Sequence, residues 1–267
     1  MALSFNFETT MWHQIKSYLI FLLKSKNQHG VHSPFAYDLI TKCFYDSKKY
    51  SEYKILKAYR DKVVQSNEII NITDYGAGSR VFKSNERKVS AIAKNAGTTL
   101  KKQQLLFRLA GYFKPKQILE LGTSLGLGTM PLAIANSASK ITTIEGCPNT
   151  SKRTQGFLDE LNLNNIHLIN ETFEDFFKAS SSEKYDFIFI DGDHSKEHTI
   201  QYFEFLLDKI NNHSVLIFDD IHWNSKMTEA WQQIIMHPKV TVSIDTYFWG
   251  FVFFRKEQEK EHFTIRV

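Results

Sequence analysis

The chain contains the stretch Ile118-Leu-Glu-Leu-Gly-Thr-Ser-Leu-Gly-Leu-Gly-Thr129, in which an apolar run leads into a segment rich in glycine. The apolar run is typical of a buried strand, and the glycines allow a tight turn before a helix begins. Glu120 lies near the end of the predicted strand. A strand that ends in such a turn and a helix N-terminus lets the backbone approach a nucleotide-type ligand. We therefore predict a cofactor-binding loop here.

The spacing of the glycines distinguishes between cofactors. Dinucleotide sites typically carry Gly-x-Gly-x-x-Gly, whereas this loop reads Glu120-x-Gly122-x-x-x-Gly126-x-Gly128. A second apolar run ends at Glu145, and an acid about twenty residues beyond such a loop can reach the ribose hydroxyls of a cofactor. The spacing favours S-adenosylmethionine over NAD. The alternative is that the glycines only allow tight packing of strand against helix.

Length and composition indicate a globular protein, with 267 residues of which 42% are hydrophobic. No apolar run approaches the roughly 20 residues of a membrane-spanning helix, and no signal peptide is expected because residues 1–10 lack a basic start. Cys43 and Cys147 are far apart and form no Cys-x-x-Cys pair. This usage predicts a reducing, cytoplasmic location without a disulfide framework.

Charge divides the chain near Pro115. Residues 1–114 hold 19 Lys and Arg against 8 Asp and Glu, whereas residues 115–267 hold 14 against 21. We predict a mainly helical, basic N-terminal region over residues 1–114, acting as a lid, in substrate binding or in dimerisation, and a catalytic domain over residues 115–267. A basic surface can meet nucleic acid, a phosphorylated substrate or a membrane. The lysines are dispersed, however, and this favours an ordinary solvated surface.

The N-terminal region carries several helical patterns. Apolar residues recur at helical spacing over residues 10–26, so one side of this helix either docks internally or pairs with a second copy. Ser33 and Pro34 predict the start of another helix, and residues 50–65 a charged one. Residues 69–80 imitate a cofactor loop, but polar residues follow, so we interpret them as a plain loop, with a lid as the alternative.

After Pro115 the pattern alternates between strands and helices. Strands are predicted at residues 117–121, 140–145, 166–170, 185–191 and 214–219, and helices at 127–137, 149–162, after Thr172, at 197–210 and at 224–236. The alternation predicts a parallel sheet with helices on both faces. Two β-rich runs, 240–246 and 248–255, predict an antiparallel hairpin at the sheet edge. The expected fold is a Rossmann-like, doubly wound α/β fold with seven mostly parallel strands and an antiparallel last strand.

Acidic residues follow two of the predicted strands. Asp191 comes directly after the fourth strand with His194 close behind it, and Asp219 and Asp220 end the fifth. Ligands bind at the carboxyl ends of parallel strands, so these three carboxylates could hold a hard cation such as Mg²⁺. Helix capping and solvation are the alternative roles. The imidazole of His194 could accept a proton at neutral pH.

Taken together, residues 118–255 resemble the class I S-adenosylmethionine-dependent methyltransferases, and within them the small-molecule O-methyltransferases of the catechol and caffeoyl-CoA type. The resemblance lies in Glu120-Leu-Gly122-Thr-Ser-Leu-Gly126, in Glu145, in Asn170-Glu-Thr-Phe173 and in the terminal hairpin. It implies S-adenosylmethionine as cofactor and a small-molecule acceptor, most readily a hydroxyl oxygen. The implied cofactor contacts are Glu120, Gly122, Thr123, Ser124, Gly126, Glu145, Thr172, Phe173 and Asp191.

The same resemblance implies a catalytic role for Asp191 and His194, and a divalent cation held by Asp191, Asp219 and Asp220. Two departures from the family pattern stand out. His194 lies where those enzymes usually carry a lysine that acts as general base. The region over residues 1–114 is also longer than the few helices that precede the core in the catechol type.

Two other functions stay open at this point. A nucleic-acid methyltransferase could use the basic N-terminal region. Amino-directed enzymes of that class, however, carry a sequence similar to Asn/Asp-Pro-Pro-Tyr/Phe after the fourth strand, where this chain has Ile190-Asp-Gly-Asp193. Cys147-Pro148 likewise reverses the Pro-Cys order of carbon-directed enzymes. A noncatalytic binding module on the same fold is the second alternative. We expect a small-molecule partner, no nucleic acid and no membrane span, with homodimerisation through the N-terminal helices as an open alternative.

Overall fold

The computed structural model describes residues 2–75, 82, 84–179 and 182–267, with side chains from residue 10 onward. Within these residues lie two compact units, one formed by Met1–Thr41 with Ile188–Val267 and the other by Lys42–Phe187. Gly76 and Gly78, which belong to the loop interpreted above, lie outside the described residues. None of the described helices combines the length and the hydropathy that crossing a bilayer requires.

Helices occupy much of the described chain. They are α1 (Ala2–Lys24), α2 (Pro34–Leu39), α3 (Tyr53–Gln65), α4 (Val89–Asn95), α5 (Leu100–Phe113), α6 (Thr129–Ala135), α7 (Pro148–Asp159), α8 (Phe173–Lys178), α9 (Lys196–Leu206) and α10 (Ser225–Met236). The predicted cap of α2 is confirmed, because the Ser33 hydroxyl accepts from the Ala36 amide at 3.4 Å and Pro34 opens the helix.

The strands form a small sheet and a large one. They are β1 (Ile69–Asn71), β2 (Glu86–Lys88), β3 (Gln117–Leu121), β4 (Lys140–Ile144), β5 (Ile166–Ile169), β6 (Phe187–Ile190), β7 (Val215–Asp219), β8 (Val242–Asp245), β9 (Trp249–Phe253) and β10 (Glu261–Thr264). The small sheet pairs β1 with β2, and the large sheet has eight described strands in the order β10, β8, β9, β7, β6, β3, β4, β5. The predicted Rossmann-like, mostly parallel fold is confirmed, but the large sheet has eight described strands rather than the predicted seven, and its antiparallel strand is β9 rather than the last strand.

In the unit of residues 42–187, the parallel strands β3, β4 and β5 carry the predicted cofactor loop at their carboxyl ends. Strand β3 pairs in register with β4 from Gln117 opposite Lys140 to Leu121 opposite Ile144. Four of the five residues in each of these strands are buried, which is typical of parallel strands covered on both faces. This register places the end of β3 beside the end of β4, so Glu120 near the end of β3 lies close to Glu145, which directly follows β4.

In the other unit, β7, β9 and β8 carry the predicted hairpin. Strand β9 runs antiparallel to both β7 and β8, as the sequence predicts. The hairpin does not form the sheet edge, however, because β10 pairs in parallel with β8 outside it. Trp231 and Trp249 are buried at 1% exposure, so they belong to the core of this unit rather than to a surface for a partner.

Candidate functional site

Glu120 is a fully buried carboxylate near the end of β3. Its Oε2 accepts hydrogen bonds from the hydroxyls of Thr129 at 2.5 Å and Thr143 at 2.6 Å. Burial raises the pKa of Glu120 to about 7, and the two threonine bonds act in the opposite direction. Its Oε1 is buried and has no hydrogen-bond partner among the described residues. Because an unsatisfied buried oxygen is costly, this atom fits a donor supplied by a bound ligand.

The turn after β3 depends on left-handed backbone conformations. The φ angles are 103° at Gly122, 46° at Ser124 and 72° at Gly126, values that favour glycine. The amides of Gly122 and Thr123 donate to the Ile144 carbonyl at 3.0 and 3.2 Å, which ties the turn to the end of β4. The turn is therefore held in place before any ligand arrives.

Gly126 also has a packing reason to be glycine. The hydroxyl of Tyr59, on α3, donates to the Leu125 carbonyl at 2.8 Å. A Cβ at Gly126 would lie 2.6 Å from that hydroxyl oxygen. The close approach of Tyr59 therefore requires a residue without a side chain at position 126. The contact between Gly126 and the cofactor stays a prediction. No sequence signal points to Tyr59, which lies far from the loop along the chain.

Glu145 connects the end of β4 to the glycine turn. Its Oε2 accepts from the Ser124 amide at 2.8 Å, and its Oε1 accepts from the Cys147 amide at 2.9 Å. Burial raises the pKa of Glu145 above its ordinary value. The two backbone hydrogen bonds act in the opposite direction, and the nearby charge of Asp74 acts in the same direction as burial. Each carboxylate oxygen keeps a second lone pair, so Glu145 can still accept from a ligand hydroxyl.

The loop after β5 supports the same region. The side-chain amide of Asn170 donates to the carbonyls of Glu145 at 2.7 Å and Gly146 at 3.1 Å. Thr172 caps α8, because its hydroxyl accepts from the Asp175 amide at 3.2 Å and donates to the Asp175 carboxylate at 2.7 Å. Phe173 is the first residue of that helix and is partly buried. Asn170 therefore positions the loop that carries Glu145, and Thr172 has a structural role.

In the other unit, the predicted acidic ligands follow β6 and β7. Asp219 ends β7 opposite Trp249, and Asp220 adopts a left-handed φ of 51° while its amide donates to the Phe248 carbonyl at 2.8 Å. Within residues 2–75, 82, 84–179 and 182–267, no three His, Cys, Asp or Glu side chains are grouped as metal ligands. Asp191, Asp219 and Asp220 are thus not brought together as a cation site, and their side chains do not fit that expectation as arranged.

In the loop after β6, the Asp193 side chain bonds to residues of helix α9 rather than to the neighbouring His194. Asp193 adopts a φ of 62°, and its Oδ2 bonds with Nδ1 of His198 and accepts from the Tyr202 hydroxyl at 2.9 Å. The Asp193 carboxylate is therefore hydrogen-bonded to two side chains of helix α9. His194 is partly buried, with its ring centre 6.5 Å from that of Trp223, beside the residues that follow β7. Its predicted role as a proton acceptor stays a prediction.

A chain of polar side chains lies in the same unit, and the sequence gives no sign of it as a network. Nε2 of His222 is 2.8 Å from Oδ2 of Asp245, and its Nδ1 is 3.2 Å from the Thr228 hydroxyl. That hydroxyl is 3.0 Å from Nε2 of His13, which is 3.2 Å from the Ser17 hydroxyl. Burial lowers the pKa of His13, and the charges of His222 and Lys16 act in the same direction.

Helix α1 docks internally along one side. The Tyr247 hydroxyl donates to the Gln14 carbonyl at 2.8 Å, and the Gln14 side chain donates to the Trp223 carbonyl at 3.0 Å. The ring of Tyr247 stacks on His222 with 5.4 Å between centres. The helix therefore covers the loops that follow β7 and β8, where His222 and Tyr247 lie. Its other side remains exposed at Trp12, Leu19 and Leu23.

Residues 119–221 match a protein family described as a methyltransferase domain. No curated protein matches the chain. The solved structure of a methyltransferase from Podospora anserina, bound to S-adenosylhomocysteine, is similar with a TM-score of 0.59 and 15% identity. That similarity covers 85% of this chain and 97% of the other.

Two O-methyltransferase structures are similar as well. One, from Bacillus cereus in complex with S-adenosylhomocysteine, is 17% identical with a TM-score of 0.55 over 80% of this chain and 95% of the other. The second, from Streptomyces achromogenes and involved in tomaymycin synthesis, is 13% identical with a TM-score of 0.54 over 80% and 96%. At these identities the similarity is one of fold, and with the family match it confirms the architecture that the sequence predicts.

Proposed function

We propose that this chain, whose residues 119–221 match a methyltransferase-domain family, transfers a methyl group from S-adenosylmethionine to a small-molecule acceptor, most readily at a hydroxyl oxygen. The observation that carries the proposal is the cradle formed by Glu120, the left-handed turn at Gly122 and Glu145. It offers a buried carboxylate oxygen that has no hydrogen-bond partner within the described part of the chain, beside a turn whose backbone a ligand can approach. The O-methyltransferases of similar fold support the choice of an oxygen acceptor.

Each residue of the cradle has its own proposed contact with the cofactor. When bound, the cofactor supplies an electrophilic methyl group on a sulfonium. Gly122 lets the backbone approach the ligand, and Oε1 of Glu120 accepts a hydrogen bond from it. Glu145, already fixed by the Ser124 and Cys147 amides, accepts from the ribose hydroxyls. Fixing these acceptors in advance reduces the freedom that binding must remove.

The acceptor hydroxyl must lose a proton as the methyl group arrives, and we assign that proton to His194. A neutral imidazole can accept it near pH 7, and the Trp223 ring beside His194 gives a planar acceptor an apolar contact. Asp191, at the end of β6, keeps its proposed role in positioning cofactor or acceptor. No step is assigned to a metal, because the described carboxylates are not grouped as ligands.

Transfer of a labelled methyl group tests the acceptor class, whichever compound the acceptor is. The full chain is incubated with methyl-labelled S-adenosylmethionine and, separately, with a filtered small-molecule extract or with purified RNA. We expect label in the small-molecule fraction, a loss of at least about tenfold in His194→Gln, and little effect of a chelator. Label in RNA alone would contradict the acceptor class, and loss of transfer on chelation, restored by Mg²⁺, would reinstate a cation.

A homodimer through the N-terminal helices stays a prediction. The exposed Trp12, Leu19 and Leu23 on α1 are consistent with it, and the docked side of the same helix accounts for only part of its apolar surface. The role of residues 1–114 in binding the acceptor is likewise part of the proposal, since α1 covers loops that carry His222 and Tyr247.

A further inference from the structure

The described part of residues 69–80 lies against the loop that carries Glu145. The Thr73 amide is 3.3 Å from Sγ of Cys147, and the Asn149 side chain donates to the Asn71 carbonyl at 2.8 Å. Residues 71–75 are thus tied to residues 145–149 from two sides. The sequence predicts a plain loop for this segment, yet its contacts fix it beside the ribose-binding acid.

Tyr75 ends this segment with its ring on Gly146. A Cβ at Gly146 would lie 2.9 Å from Cδ2 of the Tyr75 ring and 3.4 Å from Cε2. The ring therefore occupies the space that a side chain at residue 146 would need. Gly146 directly follows Glu145, and its carbonyl accepts from Asn170 at 3.1 Å. The Tyr75 ring, from a distant part of the chain, thus covers the position where a side chain at residue 146 would lie.

Tyr75 remains largely exposed to solvent. The residue is 56% exposed, although its ring contacts the backbone of another segment at Gly146. Asp74 lies beside it, near enough for its charge to act on Glu145, and pairs with Arg87 at 3.6 Å. The segment therefore presents an anchored, exposed aromatic surface next to the carboxylate that we assign to the ribose.

We propose that Tyr75 is a cofactor-binding residue whose ring contacts the adenosine of the ligand held at Glu145. The inference rests on the proposed function, because it requires an adenosine at this loop. Aromatic side chains stack on nucleobases through their flat faces, whatever the base. The tyrosine hydroxyl has no part in this contact, so phenylalanine should replace Tyr75 with little loss.

Binding of S-adenosylhomocysteine to the full chain, measured by titration calorimetry, tests the assignment. We expect Tyr75→Ala to weaken binding about tenfold, as loss of one stacking contact would, and Tyr75→Phe to stay within about twofold of the wild type. Adenosine alone should show the same fold-loss, because the contact is with that half of the ligand. Tyr37→Ala, at another exposed tyrosine, is the matched control and should not change binding.

Gly146→Ala provides a second, independent arm. The added methyl group must displace the Tyr75 ring, so the substitution should weaken binding in the wild type and have no further effect in Tyr75→Ala. Coupling of this kind is the signature of two residues that act through one contact. A purely structural role would instead lower the melting temperature of the ligand-free protein and leave the dissociation constants unchanged.

Three results would overturn the inference. Wild-type affinity in Tyr75→Ala would remove Tyr75 from the site while leaving the proposed function intact. Equal effects of Gly146→Ala in both backgrounds would show that the two residues act separately. Failure of the wild type to bind S-adenosylhomocysteine at all would defeat the proposed function, and the inference with it.

Discussion

Glu120 shows how a single residue links the sequence motif to the chemistry of the site. The carboxyl group is fully buried, and burial raises its pKa to about 7 against two opposing threonine hydrogen bonds. Groups with strongly shifted pKa values are concentrated at functional sites, where stability is given up for binding or catalysis. The Oε1 atom, for which the residues that the structure describes supply no hydrogen-bond partner, is consistent with that interpretation, since a donor from a ligand would remove the cost of burying it.

The shifted pKa of Glu120 predicts an unusual dependence of stability on pH. Its ordinary value is 4.5, so the folded protein holds this proton more tightly than the unfolded chain does. The contribution to stability is then full below about pH 4.5 and is lost as the pH rises through about 7. A difference of about 2.5 pKa units, at about 1.36 kcal/mol for each unit, limits the loss to about 3 to 4 kcal/mol.

Denaturant unfolding of the wild type and Glu120→Gln between about pH 4 and 8 measures this contribution. The variant cannot ionise, so its stability relative to the wild type should rise as the pH increases across that window. Glu197→Gln, at an exposed glutamate on α9, is the matched control and should show no such trend. Parallel pH profiles for the wild type and Glu120→Gln would mean that folding leaves the pKa of Glu120 at its ordinary value.

Among single residues, the sequence predicts the acids and glycines of the cradle but not the residues that hold them in place. Glu120, Gly122 and Glu145 are recognisable from spacing alone. Tyr59 and Tyr75 are not, because each reaches the loop from a distant segment through tertiary contacts. For the predicted cation site the sequence predicts too much. Asp191, Asp219 and Asp220 follow strand ends, but this position does not bring their side chains together as metal ligands.

At the element scale, helix α1 is held to its unit by a chain of polar groups. His13 contacts the Thr228 hydroxyl, which contacts His222, and His222 pairs with Asp245. Burial and the charges of His222 and Lys16 lower the pKa of His13. The folded state therefore holds this proton less tightly than the unfolded chain, and the contribution of His13 to stability is lost as the pH falls below about 6.5.

Hydrogen exchange of residues 10–24, corrected for the intrinsic effect of pH, should therefore detect a looser α1 at about pH 5 than at about pH 8. His13→Asn should reduce the difference, because it removes the titrating group, whereas His29→Gln, at an exposed histidine, should leave it unchanged. Protection that is equal at the two pH values in the wild type would show that protonation of His13 does not weaken the docking of α1.

The long periodic elements are the predictable ones. The sequence predicts strands β3 to β7 and the hairpin of β8 and β9 within a few residues, since apolar runs of this kind mark buried strands. It does not reveal strands β1, β2 and β10, because they have three or four residues and are only partly buried. Without β10, the hairpin is predicted at the sheet edge, where the structure has β10.

For the whole molecule, the functional division at residue 114 stays a prediction. It rests on the change from a basic to an acidic stretch. The compact units divide the chain differently, since Met1–Thr41 belongs with Ile188–Val267 and the rest of the N-terminal region with the glycine loop. Charge counted along a sequence reports composition, whereas compactness depends on which elements pack together, so the two need not coincide.

We infer that the cradle of Glu120, Gly122 and Glu145 binds S-adenosylmethionine. Titration calorimetry of the full chain with S-adenosylmethionine, S-adenosylhomocysteine and NAD, in the presence and absence of Mg²⁺, tests it most directly. We predict saturable binding of the two sulfur compounds, none of NAD, and a loss of at least about tenfold in Glu145→Ala. Binding of NAD in their place, or no binding of any of the three, would contradict the assignment of this cradle to S-adenosylmethionine.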